Sequence, residues 1–443
     1  MKKNNPTENF IYSNRIYPLL VSSLGLGTIS LLKIGSVNIR IWEILLFIFL
    51  IVVFVSVSMG KKFIHPNRMT VILSLPLIIS VLLSALNANS IDIWAKQALL
   101  FLAMLILMVI ISQRSSRSQI LENIRWVIYP SVLVAGWGVL ECLVFPADLP
   151  IYNYNDLPIS RARSLFKEPN EFSQFLALPF AFLFAAILYQ PKVSLMERWF
   201  FGVGIFIVIL AQLLSLSRGG LVVFIFEIFA WLILTRLYSV RDLHRFRIRK
   251  FLWYFVIIIM TGSLLAESSI FDFFDIFFDR IQTLFSGDDI TSNIRWNSII
   301  AAVSEAVNSP VNFIFGMGLG NLSIFFGGSG MSSDVATTSN TLADIFSELG
   351  LLGFISFNAI LVTAFILPIS TLKRLVREKD DEMLVVFFGA YLSFVGLAAG
   401  GLTYASHMLN FFWFSCGLIF ALYHYNRVSY IREKLLCTDY DHN

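Results

Sequence analysis

Long uncharged apolar runs recur along the whole chain, and no other feature constrains its fold as strongly. A helix that crosses about 30 Å of hydrocarbon needs about 20 consecutive, mostly apolar residues. Such runs fall near 17–33, 39–59, 69–86, 94–112, 125–145 and 171–189, then near 199–216, 219–236, 251–267, 349–369, 383–402 and 406–426. Of the 443 residues, 57% are hydrophobic and only 14% charged, with a mean hydropathy of +0.75. A water-soluble fold is excluded, since it would expose far too much apolar surface. The expectation is an all-α polytopic membrane protein of about 12 transmembrane helices, one domain over 1–443.

Orientation follows from where Lys and Arg gather, because they are retained on the cytoplasmic side. One face collects Lys2, Lys3 and Arg15, then Lys61, Lys62 and Arg68, then Arg114, Arg117 and Arg125, then Lys192 and Arg198. The same face takes the cluster from Arg236 to Lys250, the cluster Lys373, Arg374, Arg377 and Lys379, and finally Arg427, Arg432 and Lys434. Both termini are therefore expected in the cytoplasm. The start, MKKNNPTENFIYSNR, shows no small-residue cleavage site after an apolar core, so the first run is expected to be retained as a helix. The long loops then lie outside, at 146–170 and at 268–348, the latter between the ninth and tenth helices. The net charge of +4 is too evenly explained by this topology to indicate nucleic-acid binding. Cys142, Cys416 and Cys437 lie in or beside apolar stretches with no CxxC pair and no metal-like spacing, so neither a disulfide nor thiol chemistry is expected.

The large outer loop has helical patterning of its own. In FDFFDIFFDRIQTLF, Phe271, Phe274, Phe278, Ile281 and Phe285 share one face, as expected for a helix lying flat in the headgroup region. Asp272, Asp275 and Asp279 share another, which is a solvated face or, alternatively, a magnesium site. A second helix is expected from Thr291 or Ser292 through Arg295, Trp296 and Ile299 to a stop before Pro310, and a third after Ser339 or Asn340.

Basic residues outside oppose the topogenic trend and so carry information. They are Lys33, Arg40, Lys96, Arg161, Arg163, Lys167, Arg218, Arg280 and Arg295. Arg161 and Arg163 stand just before the sixth run, and Arg218 sits between two apolar runs with Gly219 and Gly220 beside it. Guanidinium forks match phosphate oxygens bidentately, so arginines converging at an outer interface suit a pyrophosphate-bearing lipid. The alternative is snorkelling to ordinary headgroups, the better reading for Lys33, Arg40 and Lys96. Gly316, Gly318 and Gly320 make a turn that either follows from backbone geometry or brings amides to a phosphate.

These pieces, in their order, resemble the O-antigen ligase and polymerase family of bacterial envelope glycan assembly. RSLFKEPNEFSQFLAL (163–178) is similar to the family's Arg, Phe, Pro-Asn segment, and SLSRGGL (215–221) to its Ser-Arg-Gly turn. IRWNSIIAAV with NFIFGMGLGN (294–321) resembles its Arg-bearing loop helix and Gly-x-Gly turn. SNTLADIFSELGLLGFISF (339–357) resembles its Asn, then Glu-x-Gly-x-x-Gly, helix start. The resemblance covers about 160–360; elsewhere it is one of hydropathy alone.

The resemblance implies a GT-C-like glycosyltransferase in a bacterial cytoplasmic membrane. Its substrate would be an undecaprenyl-diphosphate-linked oligosaccharide, polymerised into a surface polysaccharide without a cofactor or metal. A chain-length regulator and a flippase are the implied partners, alongside membrane lipids. Arg161, Arg163, Arg218 and Arg295, with Asn170 and Asn340, are the expected diphosphate and glycan contacts. Departure of a diphosphate leaves charge that such arginines stabilise. Glu348 and Glu168 are the first candidates for the base that takes the acceptor proton, with Asp334 and Asp344 behind them. A dipole role at a helix start for Glu348 and a local turn role for Glu168 are the competing readings.

One departure bears on the reaction. Family ligases carry His before the Asn; here Ser339 precedes Asn340, and the large loop has no His. That tilts the expectation from ligase to polymerase, with His407, expected outside, as a partial substitute or an ordinary interfacial histidine. A transporter or flippase remains a separate class, for which Glu43, Glu141 and above all Glu227 are the intramembrane carboxylates to watch.

Overall fold

The computed structural model describes residues 16–26, 30–34, 37–59, 67–113, 116–144, 161–189, 194–238, 290–328 and 337–440. The expected amphipathic helix at 271–285, the run at 251–267, Asp334 and most of the 146–170 loop lie outside the described residues. What is described is helical apart from one short hairpin. Among the described residues, 7 helices are long and apolar enough to cross a membrane. The protein is a multi-pass helical membrane protein.

The first apolar run departs from expectation. Instead of one crossing at 17–33, the chain forms α1 (Ile16–Ser23), a single 3-10 turn at Leu24–Leu26, and a hairpin of β1 (Ser30–Ile34) and β2 (Val37–Arg40). Eight helical residues rise only about 12 Å, well short of the hydrocarbon thickness. Gly25 falls just past the end of the helix, where glycine is favoured because it loses the most backbone freedom on becoming helical.

The other described runs become helices, most of them within a few residues of their expected bounds. The run at 125–145, however, starts early at Arg117, the run at 349–369 starts at Thr341, and the last continues past 426 to Tyr440. The first of these helices are α2 (Ile41–Ser58), α3 (Arg68–Leu83), α4 (Ile91–Ser112) and α5 (Arg117–Val144). The sixth run splits into α6 (Pro169–Phe175) and α7 (Ala177–Tyr189), followed by α8 (Leu195–Ser215) and α9 (Arg218–Leu237). The segment 290–328 supplies α10 (Ile290–Asn308), α11 (Pro310–Phe315) and α12 (Leu322–Gly328). Then come α13 (Thr341–Ile366), α14 (Pro368–Glu378), α15 (Asp381–Gly400) and α16 (Asn410–Tyr440).

Local chemistry sets these ends. Ser194 opens α8 with a capping box: its Oγ accepts from the Glu197 amide at 3.2 Å while the Glu197 carboxylate accepts from the Ser194 amide at 3.0 Å. The α8–α9 junction is only two residues long. Leu216 turns left-handed at φ 50° and Ser217 caps α9, its Oγ accepting from the Gly220 amide at 3.3 Å.

α7 lies at the centre, buried almost throughout, between α5, α8, α9 and α15. Aromatic rings fill this seam: Phe180 stacks on Phe224 at 4.1 Å, Tyr189 on Phe388 at 4.8 Å, and Phe184 meets Trp231 edge-on at 5.3 Å. Two further seams pair α16 with α4 and α13 with α3. Large apolar side chains such as Phe54, Leu99, Leu133 and Ile225 stand more than half exposed on the outer helices. In water such a surface would aggregate; in a bilayer it is the lipid-facing surface.

At the bundle end where α5 starts, Arg117 bridges to the α15 start, with Nη2 3.1 Å from Asp380 Oδ1 and 2.6 Å from Glu382 Oε2. All three side chains are partly exposed. Arg117→Ala is expected to cost no more than about 1 kcal/mol. A double-mutant cycle with Asp380→Ala, read by thermal unfolding in detergent, should show a coupling that shrinks as salt is raised.

Candidate functional site

The opposite end of the bundle gathers the polar groups. Arg161 is buried beneath it: its Nε donates to the Ser215 carbonyl at 3.0 Å and its Nη2 to Asn170 Oδ1 at 3.5 Å. The Asn170 oxygen also accepts from Ser217 Oγ at 3.0 Å. The residue that caps α9 is thus tied, through Asn170 at the start of α6, to the arginine of the preceding segment. The backbone repeats the link, the Ala162 amide donating to the Leu214 carbonyl at 3.0 Å. Arg218 opens α9 directly above this junction. Gly220 sits where an added Cβ would meet Gln212 at 2.2 Å and Ser173 at 2.6 Å, so no larger residue fits between α6 and α8 here.

The second half of the site is the turn after α15, residues 400–406. Thr403 lies where a Cβ on Gly219 would meet its hydroxyl at 2.8 Å, which puts the turn against Arg218's neighbour. Arg295 of α10 reaches the same residue, Nη1 donating to the Thr403 carbonyl at 3.5 Å. Asn340 caps α13, its Oδ1 accepting from the Leu342 and Ala343 amides, while its Nδ2 donates to the Leu402 carbonyl at 3.1 Å. Thr341 completes the join: its amide donates to the Gly401 carbonyl at 2.7 Å and its hydroxyl to that of Tyr404 at 3.0 Å. Segments far apart in sequence therefore meet at one turn.

Arg163 is placed differently. Its Nε stands 3.6 Å from Glu141 Oε1, and the amides of Arg163 and Ser164 donate to Glu141 Oε2 at 3.3 and 2.7 Å. Ser164 holds the loop in a left-handed turn (φ 52°) and donates its hydroxyl to the Val134 carbonyl. The intramembrane Glu141 is thus the anchor of this loop on α5, a role sequence reading did not assign to it.

The carboxylates separate. Glu168 is half-buried just before α6 and makes no side-chain capping bond. Glu348 is buried in α13, where its Oε1 accepts from the Gly320 amide at 2.9 Å. Around it, the Met317 amide donates to the Ser347 carbonyl at 2.9 Å and the Gly318 amide to the Glu348 carbonyl at 3.1 Å. The glycine turn is therefore clasped by α13. Asp344 is buried one turn earlier, its Oδ1 accepting from the Thr338 amide at 2.8 Å and hydroxyl at 2.7 Å. Sequence reading missed Glu171, buried in α6 within electrostatic reach of Arg40 and Lys167; its position beside Asn170 was the available signal.

His407 does not face the surface. It is buried, its ring 6.3 Å from Phe101, and its carbonyl accepts from Trp413 Nε1 at 2.8 Å. Glu227 is fully buried in α9 against Gly396 of α15, and neither carboxylate oxygen has a hydrogen-bond partner among the described residues.

A groove of about 350 Å³ runs from the site down between α9, α13, α15 and α16. Thr341, Gly401 and Ser406 line its polar end, and Phe226, Leu361 and Phe365 its apolar length. Such a groove suits a ligand with a polar head and a hydrocarbon tail. No family model matches the chain, and no curated protein matches it.

Proposed function

We propose that this protein is a glycosyltransferase that polymerises undecaprenyl-diphosphate-linked oligosaccharide repeat units into a surface polysaccharide, at the outer face of a bacterial cytoplasmic membrane. The observation that carries this reading is the convergence on the 400–406 turn of the segments bearing Arg218, Arg295 and Asn340, at the head of an apolar groove. In this reading the chain crosses the membrane about 12 times with both termini inside, and the groove end is the outer one.

Chemistry follows from that placement. Arg218 and Arg295 bind the donor diphosphate, and Arg161 fixes Asn170 and Ser217 beneath them. The acceptor hydroxyl oxygen bonds to the anomeric carbon as the carbon–oxygen bond to the diphosphate breaks. The electron pair leaves with the diphosphate, where the guanidinium groups stabilise it. The hydroxyl proton passes to a carboxylate, and Glu168 stands closer to Asn170 in the chain while Glu348 holds the glycine turn. Polymerase is favoured over ligase by Ser339 in place of the family's His.

The test is to delete the protein from its host and size the surface glycan on a gel. Single repeat units on the usual anchor are expected, and complementation with Arg218→Ala, which should slow turnover about 100-fold, is not expected to restore long chains. Full-length glycan held on its lipid carrier would make the protein a ligase. An unchanged profile would overturn the glycosyltransferase reading in favour of a transporter.

A further inference from the structure

The bundle end opposite the candidate site carries a second cavity of about 350 Å³, lined by Ser370, Lys373, Arg374, Arg377, Asn426 and Arg427. We propose that it is a binding site for the phosphate headgroup of an anionic phospholipid from the leaflet at that end. The inference is independent of the proposed reaction.

The site is built by α14. This short helix buries Pro368, Thr371, Leu372 and Leu375 against the bundle and turns its charges outward. It packs between α15 and α16 at the level where α9 ends. One wall is fixed: Arg374 pairs with Glu378 and donates from Nη1 to the Asn426 carbonyl at 3.0 Å. Lys373 stands 5.7 Å from the ring centre of Tyr238, the residue that ends α9. Tyr423 lines the cavity as well, and tyrosines of this kind mark headgroup depth.

Charge sets the ligand. Lys373, Arg377 and Arg427 are exposed, and none of the three is ion-paired among the described residues. Among the described residues no acid lines the cavity, and the nearby Glu378 is paired with Arg374 and Asp380 and Glu382 with Arg117. The cavity is therefore strongly positive, with the Ser370 hydroxyl and the Asn426 amide as further polar groups. A phosphate fits a pocket of guanidinium and ammonium donors. A lipid is preferred over a soluble anion because exposed apolar residues stand next to the pocket's own in the chain: Ile366, just before α14, and Leu237, beside the Tyr238 that Lys373 faces, are each more than half exposed. Acyl chains lying there leave the headgroup at the level of α14. Basic pockets between helices on the positively charged side of a membrane protein bind anionic headgroups in this way.

The full chain, purified in detergent, would be titrated with phosphatidylglycerol, with phosphatidylcholine and with soluble glycerol phosphate, following bound ligand by native mass spectrometry and melting temperature in parallel. Saturable phosphatidylglycerol binding is expected, with no comparable effect of the other two. The triple variant Lys373→Gln, Arg377→Gln, Arg427→Gln should bind it about tenfold or more weakly, and Arg377→Gln alone a few-fold more weakly. Arg198→Gln, a change at an exposed α8 position away from the pocket, should leave binding intact. Equal loss in Arg198→Gln, or undiminished binding in Arg377→Gln and the triple variant, would overturn the site. Equal binding of glycerol phosphate would overturn the lipid as its ligand.

Discussion

Gly350→Ala is expected to be strongly damaging although it adds a single methyl group to the joint between α11 and α13. Gly350 interrupts α13 at φ 66° and ψ −167°, a backbone conformation essentially reserved for glycine. An added Cβ would stand 2.4 Å from the Ile314 carbonyl oxygen and 2.5 Å from the Gly316 amide nitrogen, both backbone atoms that cannot rotate away. Gly316 is its counterpart: at φ 79°, its own Cβ would fall 2.2 Å from the Glu348 carbonyl. Two chain segments meet here with nothing but hydrogen between them. Relieving the clash separates α11 from α13 and breaks the bonds from the Met317 and Gly318 amides to the Ser347 and Glu348 carbonyls. Backbone strain of about 1–3 kcal/mol and two lost hydrogen bonds of about 1 kcal/mol each together make about 3 kcal/mol or more. A clear fall in melting temperature in detergent, with early protease cleavage near 310–321, is the expected readout. A melting temperature equal to that of the parent would mean that the kink is not needed to hold this joint.

Glu348 gives the second large effect, and its two substitutions separate a base from a clasp. Its carboxylate is buried and accepts from the Gly320 amide at 2.9 Å. Glu348→Ala leaves that donor without a partner and opens a cavity, a combined loss of about 3 kcal/mol. Glu348→Gln keeps a carbonyl oxygen in the same place. Its stability should stay within about 1 kcal/mol of the parent. If the residue only clasps the turn, glycan chain length in a Glu348→Gln strain is near normal. If it is the base for the acceptor hydroxyl, the same strain loses about 100-fold or more of its turnover. Under the proposed reaction, a variant that is stable yet inactive therefore assigns Glu348 to the chemistry, and one that is active leaves that task to Glu168, Asp334 or Asp344.

The candidate site was partly legible before any tertiary structure. Arg161, Arg218 and Arg295 were singled out by charge where the positive-inside pattern had no use for it, and Asn170 and Asn340 by the family resemblance of the segments that carry them. All five stand at one end of the bundle around two junctions. Arg163 was legible as a cation and illegible as the partner of Glu141, because an ion pair between a loop and a helix leaves no periodic trace. His407 shows the reverse. Its position between two apolar runs suggested the surface, yet the 400–408 segment folds inward and buries it against Phe101.

The sequence by itself determined that this chain lies in a membrane and where many of its helices begin and end. Those properties are local: the length of an apolar run, a Ser or Asn able to cap. It misjudged the first run, where the helix ends at Ser23 and a hairpin follows in place of a continuous crossing. Only the tertiary structure decided that the 400–406 turn joins the starts of α9 and α13, that α7 rather than another equally apolar helix occupies the centre, and that α14 closes a basic pocket. Nearly every helix here is apolar on all sides, so periodicity does not tell a buried face from a lipid-facing one. Partner choice rests on close fits, such as Gly389 against Phe182 and Gly396 against Glu227, which exist only once two helices are side by side.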